Sequence, residues 1–186
     1  RTLTDNGKAH EAHDLFRQAA LTGDPRGKVA YGRFLREGPR DRNEEYAAMA
    51  RTWFESAAKD GSGEAMAALG TLDRYGFGGP KNPQSSIAWY IKAGEAGNPE
   101  GDLMAGFAYR ATLRDWGGVP DYPKARYYLE RAAAKGNEIA MLHLGEMLAE
   151  GQGGPVDRSA AKAWLERAEK AGYTSAGDKL KAYQLR

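Results

Sequence analysis

The sequence predicts an all-α array of helix-pair repeats, and three observations carry that prediction. A phrase of aromatic residue or leucine, three residues, alanine, then a glycine four further on occurs five times. It reads LFRQAALTG (15–23), WFESAAKDG (53–61), WYIKAGEAG (89–97), YLERAAAKG (128–136) and WLERAEKAG (164–172). The closing glycines, Gly23, Gly61, Gly97, Gly136 and Gly172, are 38, 36, 39 and 36 residues apart. A second glycine lies nine residues after each of the first four, at Gly32, Gly70, Gly106 and Gly145, and all variation in length falls in the other connection. Periods of this size are those of stacked helical units.

The elements follow in order. A partial helix over about 9–22 opens the chain in the phase of the second helix of a pair, helix B. Four repeats then run over about 24–61, 62–97, 98–136 and 137–172, and a terminal helix over about 174–185 closes one repeat domain of residues 1–186. Helix A carries stripes such as Ala65, Ala68, Leu69 and Leu72; helix B carries stripes such as Ala125, Tyr128, Leu129 and Ala132. Both have the i, i+3, i+4 spacing of an amphipathic helix. The glycine ending helix B reads as a left-handed cap, so helix A follows at once through a tight turn. Gly32, Gly70, Gly106 and Gly145 fall inside helix A, where glycine costs about 1 kcal/mol against alanine, and close helix approach is the expected reason. The connection from A to B is expected to face solvent and to tolerate insertions. The row Trp53, Trp89, Tyr128 and Trp164, bracketed by alanines on helix B, is expected in the core rather than on a sugar-stacking surface.

GFGGP at 76–80 sits in the A-to-B connection and returns as GQGGP at 151–155, with GGVP at 117–120 and Gly38-Pro39 in the same phase. A phosphate loop needs GxxxxGK followed by Ser or Thr after a strand. Lys81 has Val156 as its counterpart, so the glycines read as the end of helix A and the proline as a stop.

Composition narrows the function classes. Lys plus Arg number 27 and Asp plus Glu 25, a near balance that argues against a general nucleic-acid binder. There is no cysteine, which removes disulfides, thiol catalysis and zinc–thiolate sites. No apolar run is long enough to span a bilayer. The start at Arg1, without Met or signal peptide, suggests that a leader or larger N-terminal region has been removed. An array that opens on a helix B reads likewise as a piece of a longer solenoid or one with a trimmed cap, and such a piece could also be a spacer in a larger protein.

These residues resemble the Sel-one-like repeat family, a branch of the tetratricopeptide superfamily. The match is carried by Ala65, Leu69-Gly70, Gly76 to Pro80, Trp89-Tyr90, Ala93 and Gly97, and again from Ile139 to Gly172, with coverage from about His10 onward. Three departures stand out: Asp73 in place of the usual aromatic, Thr112 where a glycine normally ends helix A, and a first loop that keeps only Gly38-Pro39. The resemblance implies a right-handed α-solenoid, a superhelix of antiparallel helix pairs with helix A lining the concave face. It also implies a non-catalytic scaffold or adaptor that binds a protein or peptide partner there, in a bacterial envelope, secretion or signalling assembly, with a periplasmic or secreted location. No cofactor or metal is expected. The alternative is an anionic polysaccharide or peptidoglycan fragment in the same groove.

In the related tetratricopeptide architecture the outward positions are one, four and five residues after the helix-A glycine. These give Arg33, Thr71, Phe107 and Glu146; Arg36, Arg74, Arg110 and Ala149; and Glu37, Tyr75, Ala111 and Glu150. Arg36, Arg74 and Arg110 share one phase and would form a ladder able to clamp carboxylates. Alternatively they pair at home, as Arg36 could with Glu37 or Glu64. Tyr75 and Phe107 are candidate aromatic anchors. Trp116, in the longest A-to-B loop, is a further candidate contact or folds back over the stack. His10 and His13 in AHEAH lie one residue short of the HExxH metal spacing and read as ordinary surface residues. His143 and Glu146 are i, i+3 on a helix, but no pocket or nucleophile makes them an acid–base pair.

Overall fold

The computed structural model describes residues 3–37, 44–110 and 119–185, with side chains from Glu11 onward. All described secondary structure is helical, and the chain divides into two compact units, Arg1–Ala96 and Gly97–Arg186. The first unit contains α1 (Leu3–Leu21), α2 (Pro25–Glu37), α3 (Glu44–Lys59), α4 (Gly63–Tyr75) and α5 (Pro83–Glu95). The second contains α6 (Pro99–Arg110), α7 (Tyr122–Ala134), α8 (Glu138–Glu150), α9 (Arg158–Lys170) and α10 (Thr174–Ala182). Within each unit every helix packs on the next in sequence. This is the paired, antiparallel α-solenoid expected from the repeat, with α2, α4, α6, α8 and α10 as helices A. The opening helix extends further back than expected, to Leu3.

The fixed nine-residue spacing has a local cause. Gly23, Gly61, Gly97, Gly136 and Gly172 all adopt positive φ, between 87° and 97°. At Gly61 the chain turns so that Gly61 N donates to Ala58 O and Ser62 N to Ala57 O. Ser62 then accepts from Ala65 N and caps α4, as Asn137 accepts from Ala140 N to cap α8. One glycine stops helix B and the next residue starts helix A, so the turn has no spare length.

The glycines inside helix A lie under one large helix-B side chain each. A Cβ on Gly32 would stand 2.7 Å from the Phe54 ring, on Gly70 2.8 Å from Tyr90, on Gly106 2.8 Å from Leu129 Cγ and on Gly145 2.6 Å from Leu165 Cγ. Close approach is therefore the reason for the recurring glycine, as expected. Phe54, Tyr90, Leu129 and Leu165 are at most 1% exposed. The preceding row, Trp53, Trp89, Tyr128 and Trp164, is only half-buried, which corrects the expectation of a core position. Glycine leaves room for one side chain per repeat, and the next residue along helix B takes it. Three of the half-buried rings carry a cation one turn on: Lys92 Nζ is 4.7 Å from the Trp89 ring, Arg131 Cζ 5.8 Å from Tyr128 and Arg167 Cζ 4.2 Å from Trp164.

The GxGGP connections face solvent, as expected, at Phe77, Gly79 and Pro80 and again from Gly154 to Val156, and they also dock on the preceding helix B. Arg51 of α3 donates from Nε to Gly78 O (3.0 Å) and from Nη2 to Phe77 O (3.2 Å). Arg126 of α7 reaches Pro155 O at 3.3 Å in the later copy. A Cβ on Gly78 would lie 2.4 Å from Ala47 O, and on Gly153 2.3 Å from Tyr122 O. Gly76 and Gly151 end α4 and α8 in the left-handed conformation, so the reading of these stretches as helix stops holds.

Candidate functional site

Each helix A of the first unit presents its outward residues beside a cleft of about 540 Å³. Leu35 and Arg36 from the end of α2, Tyr46 from α3, and Thr71, Tyr75 and Phe77 from α4 and its exit form much of the wall. Tyr75 is 55% and Phe77 49% exposed, their rings 5.8 Å apart. Arg74 Cζ lies 5.1 Å from the Tyr75 ring. Arg36 forms an ion pair with Glu37, and the exposed Arg33 pairs with Glu64 at 2.6 Å. Arg33 and Arg36 thus meet acids of their own chain, the pairing expected as the alternative to the clamp. Phe77 was not singled out by sequence, because it falls in the connection rather than on the helix.

Asp73, the departure from the family pattern, is 5% exposed and faces α3. Arg51 Nη1 lies 2.7 Å from its Oδ1, and Ser85 Oγ donates to its Oδ2 at 2.5 Å. The guanidinium that pins the loop therefore also neutralises a buried carboxylate.

In the second unit the helix-A faces carry a charge network. Arg110 of α6 points Nη1 at Glu146 Oε2 of α8, 3.3 Å away, and Lys179 of α10 holds Glu146 Oε1 at 2.7 Å. His143 Nδ1 is 2.9 Å from Glu146 Oε2 and also 2.9 Å from Arg110 Nη1. Phe107 meets the His143 ring edge-on at 5.0 Å. Glu146 itself is 7% exposed. Burial pushes its carboxyl pKa up, but hydrogen bonds from His143 and Lys179, with their charge, outweigh this and hold it at about 2. Tyr183 donates to Glu150 Oε1 at 2.5 Å, a second tie between α10 and α8; burial first, then this carboxylate, pushes the phenol well above its ordinary range. Lys179 and Tyr183 were not foreseen. Both lie 33 residues after their partners, a repeat less one turn, which is a signal the sequence does contain.

Trp116 and Ala111 lie outside the described residues, as does the side chain of His10. His13 turns toward α2, its Nε2 2.9 Å from Tyr31 Oη. Among the described residues no group of three or more His, Cys, Asp or Glu could hold a metal ion. Among them, too, no helix is long and apolar enough to cross a membrane.

Comparison with known proteins agrees with this architecture. The family model described as Sel1 repeat matches residues 28–62, 63–98, 111–137 and 139–173. The exopolysaccharide production negative regulator of Rhizobium meliloti (strain 1021) is 31% identical over 134 residues, 66% of this chain and 50% of that protein. The crystal structure of a Sel1 repeat protein from Oxalobacter formigenes superposes with a TM-score of 0.78 at 32% identity, covering 92% of this chain and 48% of the other. Cysteine rich protein B of Helicobacter pylori shares the fold, with a TM-score of 0.55 at 20% identity over 77% of this chain and 98% of its own. The chain spans about half the length of the first two relatives.

Proposed function

This chain belongs to the Sel1 repeat family, and from that premise we propose that its helix-A faces hold a protein partner within a bacterial envelope, secretion or signalling assembly. Fold and family support a non-catalytic protein-interaction scaffold. The finer reading is supported by one observation above the others: the exposed pair Tyr75 and Phe77 beside Arg74, on the rim of the 540 Å³ cleft that Arg36 also lines. Aromatic rings next to a guanidinium, set on a rigid scaffold, are the composition of an interface hot spot.

Among the alternatives, an anionic polysaccharide is less well supported. The cations of these faces that would grip it are matched by Glu37, Glu64 and Glu146. The relatives are bacterial, and one is named as a regulator of exopolysaccharide production. Exopolysaccharide production is an envelope-linked process, and the similarity supports an envelope-linked role for this chain.

The test is capture from the host's own extract with three folded baits: the unaltered chain, Tyr75→Ala/Phe77→Ala, and Arg36→Glu/Arg74→Glu/Arg110→Glu. Loss of a hot-spot pair costs about 2 kcal/mol, roughly thirtyfold in affinity. A partner held by the first bait and lost by both others is expected. A partner retained equally by all three would falsify the helix-A reading.

A further inference from the structure

We propose that Arg51 is the positioning residue of the first unit's cleft: its guanidinium, aimed by Asp73, fixes Phe77 on the rim for contact with the partner, an inference that rests on the binding role just proposed. Phe77 is 49% exposed and lines the cleft, so its ring adds little to the core. Its backbone is nonetheless held on both sides. Its N–H donates to Leu72 O at 2.9 Å, and its carbonyl accepts from Arg51 Nη2 at 3.2 Å. The next carbonyl, of Gly78, accepts from Arg51 Nε at 3.0 Å. One edge of the guanidinium thus spans two successive carbonyls, a fork that lysine does not offer. Gly78 lets the loop lie this close to α3, since a Cβ there would stand 2.4 Å from Ala47 O, and both residues line the same cleft.

The later copy of this loop points to what aims the fork. Arg126 of α7 stands in the phase of Arg51, and each has a glutamate four residues on, Glu130 and Glu55. Arg126 turns Nε to Glu130 Oε1 at 3.0 Å and meets its loop through Nη1, at Pro155 O. There Leu148 stands where α4 has Asp73. In the first copy Asp73 Oδ1 takes Arg51 Nη1 at 2.7 Å, and Ser85 Oγ donates to the other carboxylate oxygen at 2.5 Å. The remaining edge of the guanidinium then faces Phe77 O and Gly78 O. The displayed residue differs as well. Phe77 has Gln152 as its counterpart, half-buried and donating to Glu150 Oε2 at 2.8 Å. The copy with the aimed fork is the copy with the exposed ring. A ring held in place before contact loses less freedom on binding.

Two variants of the full chain separate this role from plain stabilisation. Arg51→Lys keeps a charge beside Asp73 but has a single nitrogen for three acceptors. Arg51→Ala/Asp73→Leu removes the fork together with the carboxylate it neutralises. Nitrogen relaxation at the Gly78 and Gly79 amides, which share peptide planes with the two carbonyls, reads loop order. Capture from the host's extract reads binding of the partner that the unaltered chain retains. In the unaltered chain we expect order parameters of about 0.85 at both amides, and in both variants values below about 0.6, while amides within α3 and α4 keep theirs. Affinity for the partner should fall roughly two- to tenfold in both variants, the loss that corresponds to ordering one side chain on binding. Glycine amides as rigid in both variants as in the unaltered chain overturn the proposal. So does a mobile loop with capture unchanged, which leaves Arg51 only the pairing with Asp73. Retention of the partner by Tyr75→Ala/Phe77→Ala would instead overturn the binding role on which the proposal rests, and is read from a different bait.

Discussion

Gly145 shows how a single residue sets the spacing of a helix pair. A Cβ there would lie 2.6 Å from Leu165 Cγ and 3.3 Å from Ala161 O. In Gly145→Ala the helix gains about 1 kcal/mol of propensity, but overpacking against Leu165 costs roughly 1–3 kcal/mol. The variant should be destabilised by about 1 kcal/mol, read as a lower urea midpoint with an unchanged slope. Adding Leu165→Ala, which costs several kcal/mol alone, should show non-additive coupling of opposite sign because the new methyl fills part of the cavity. A raised midpoint for Gly145→Ala alone would mean the glycine is not there for packing. The position of this glycine was legible, because its cost recurs in every repeat. Which of two adjacent apolar helix-B residues it admits was not. Trp164 and Leu165 differ by 100° of helix rotation, and only the packed structure fixes which of them points at the glycine.

At the scale of elements, the repeats are joined by more than apolar faces. Arg51 ties α3 to α4 through Asp73 and to the following connection through Gly78 O and Phe77 O. Removing one partner of a buried pair leaves the other charge uncompensated, at a cost of about 3–5 kcal/mol. Arg51→Ala should therefore lose about 3 kcal/mol in urea unfolding. In the later copy of this arrangement, Leu148 stands where α4 has Asp73, three residues after the helix-A glycine. The double variant Arg51→Ala/Asp73→Leu should accordingly recover most of the loss. If the double variant is no better than Arg51→Ala, the carboxylate is not the source of the cost and the loop contacts are. The pairing could not be read from a single repeat pattern, since Asp73 appears there only as a departure. It becomes readable once the preceding helix B is known to lie against helix A. The same holds for Arg110 and Glu146, 36 residues apart, and for Glu146 and Lys179, 33 apart. Stacking converts one repeat period, or a period less one turn, into contact.

For the molecule as a whole, near-neutral charge hides an uneven distribution of ionic stabilisation. Glu146 joins α6, α8 and α10 through Arg110 and Lys179, so one carboxylate holds three helices of the second unit. Its folded pKa of about 2 lies below the ordinary value of 4.5. A depressed carboxylate pKa contributes stability that is full above the unfolded value and is lost as pH falls through the folded one. The contribution of the Glu146 carboxylate should therefore decline as pH falls between 4.5 and 2. Amide hydrogen exchange can follow this helix by helix, with amides of the first unit as the internal reference. Protection in α8 and α10 should fall across that window in the unaltered chain. Glu146→Gln should start less protected at pH 7, because its neutral amide cannot replace the charge, and should meet the unaltered chain near pH 2. Parallel curves that keep their gap down to pH 2 would show that the carboxylate's charge is not what Glu146 contributes. The packing of its side chain between α6 and α10 would then be the stabilising element.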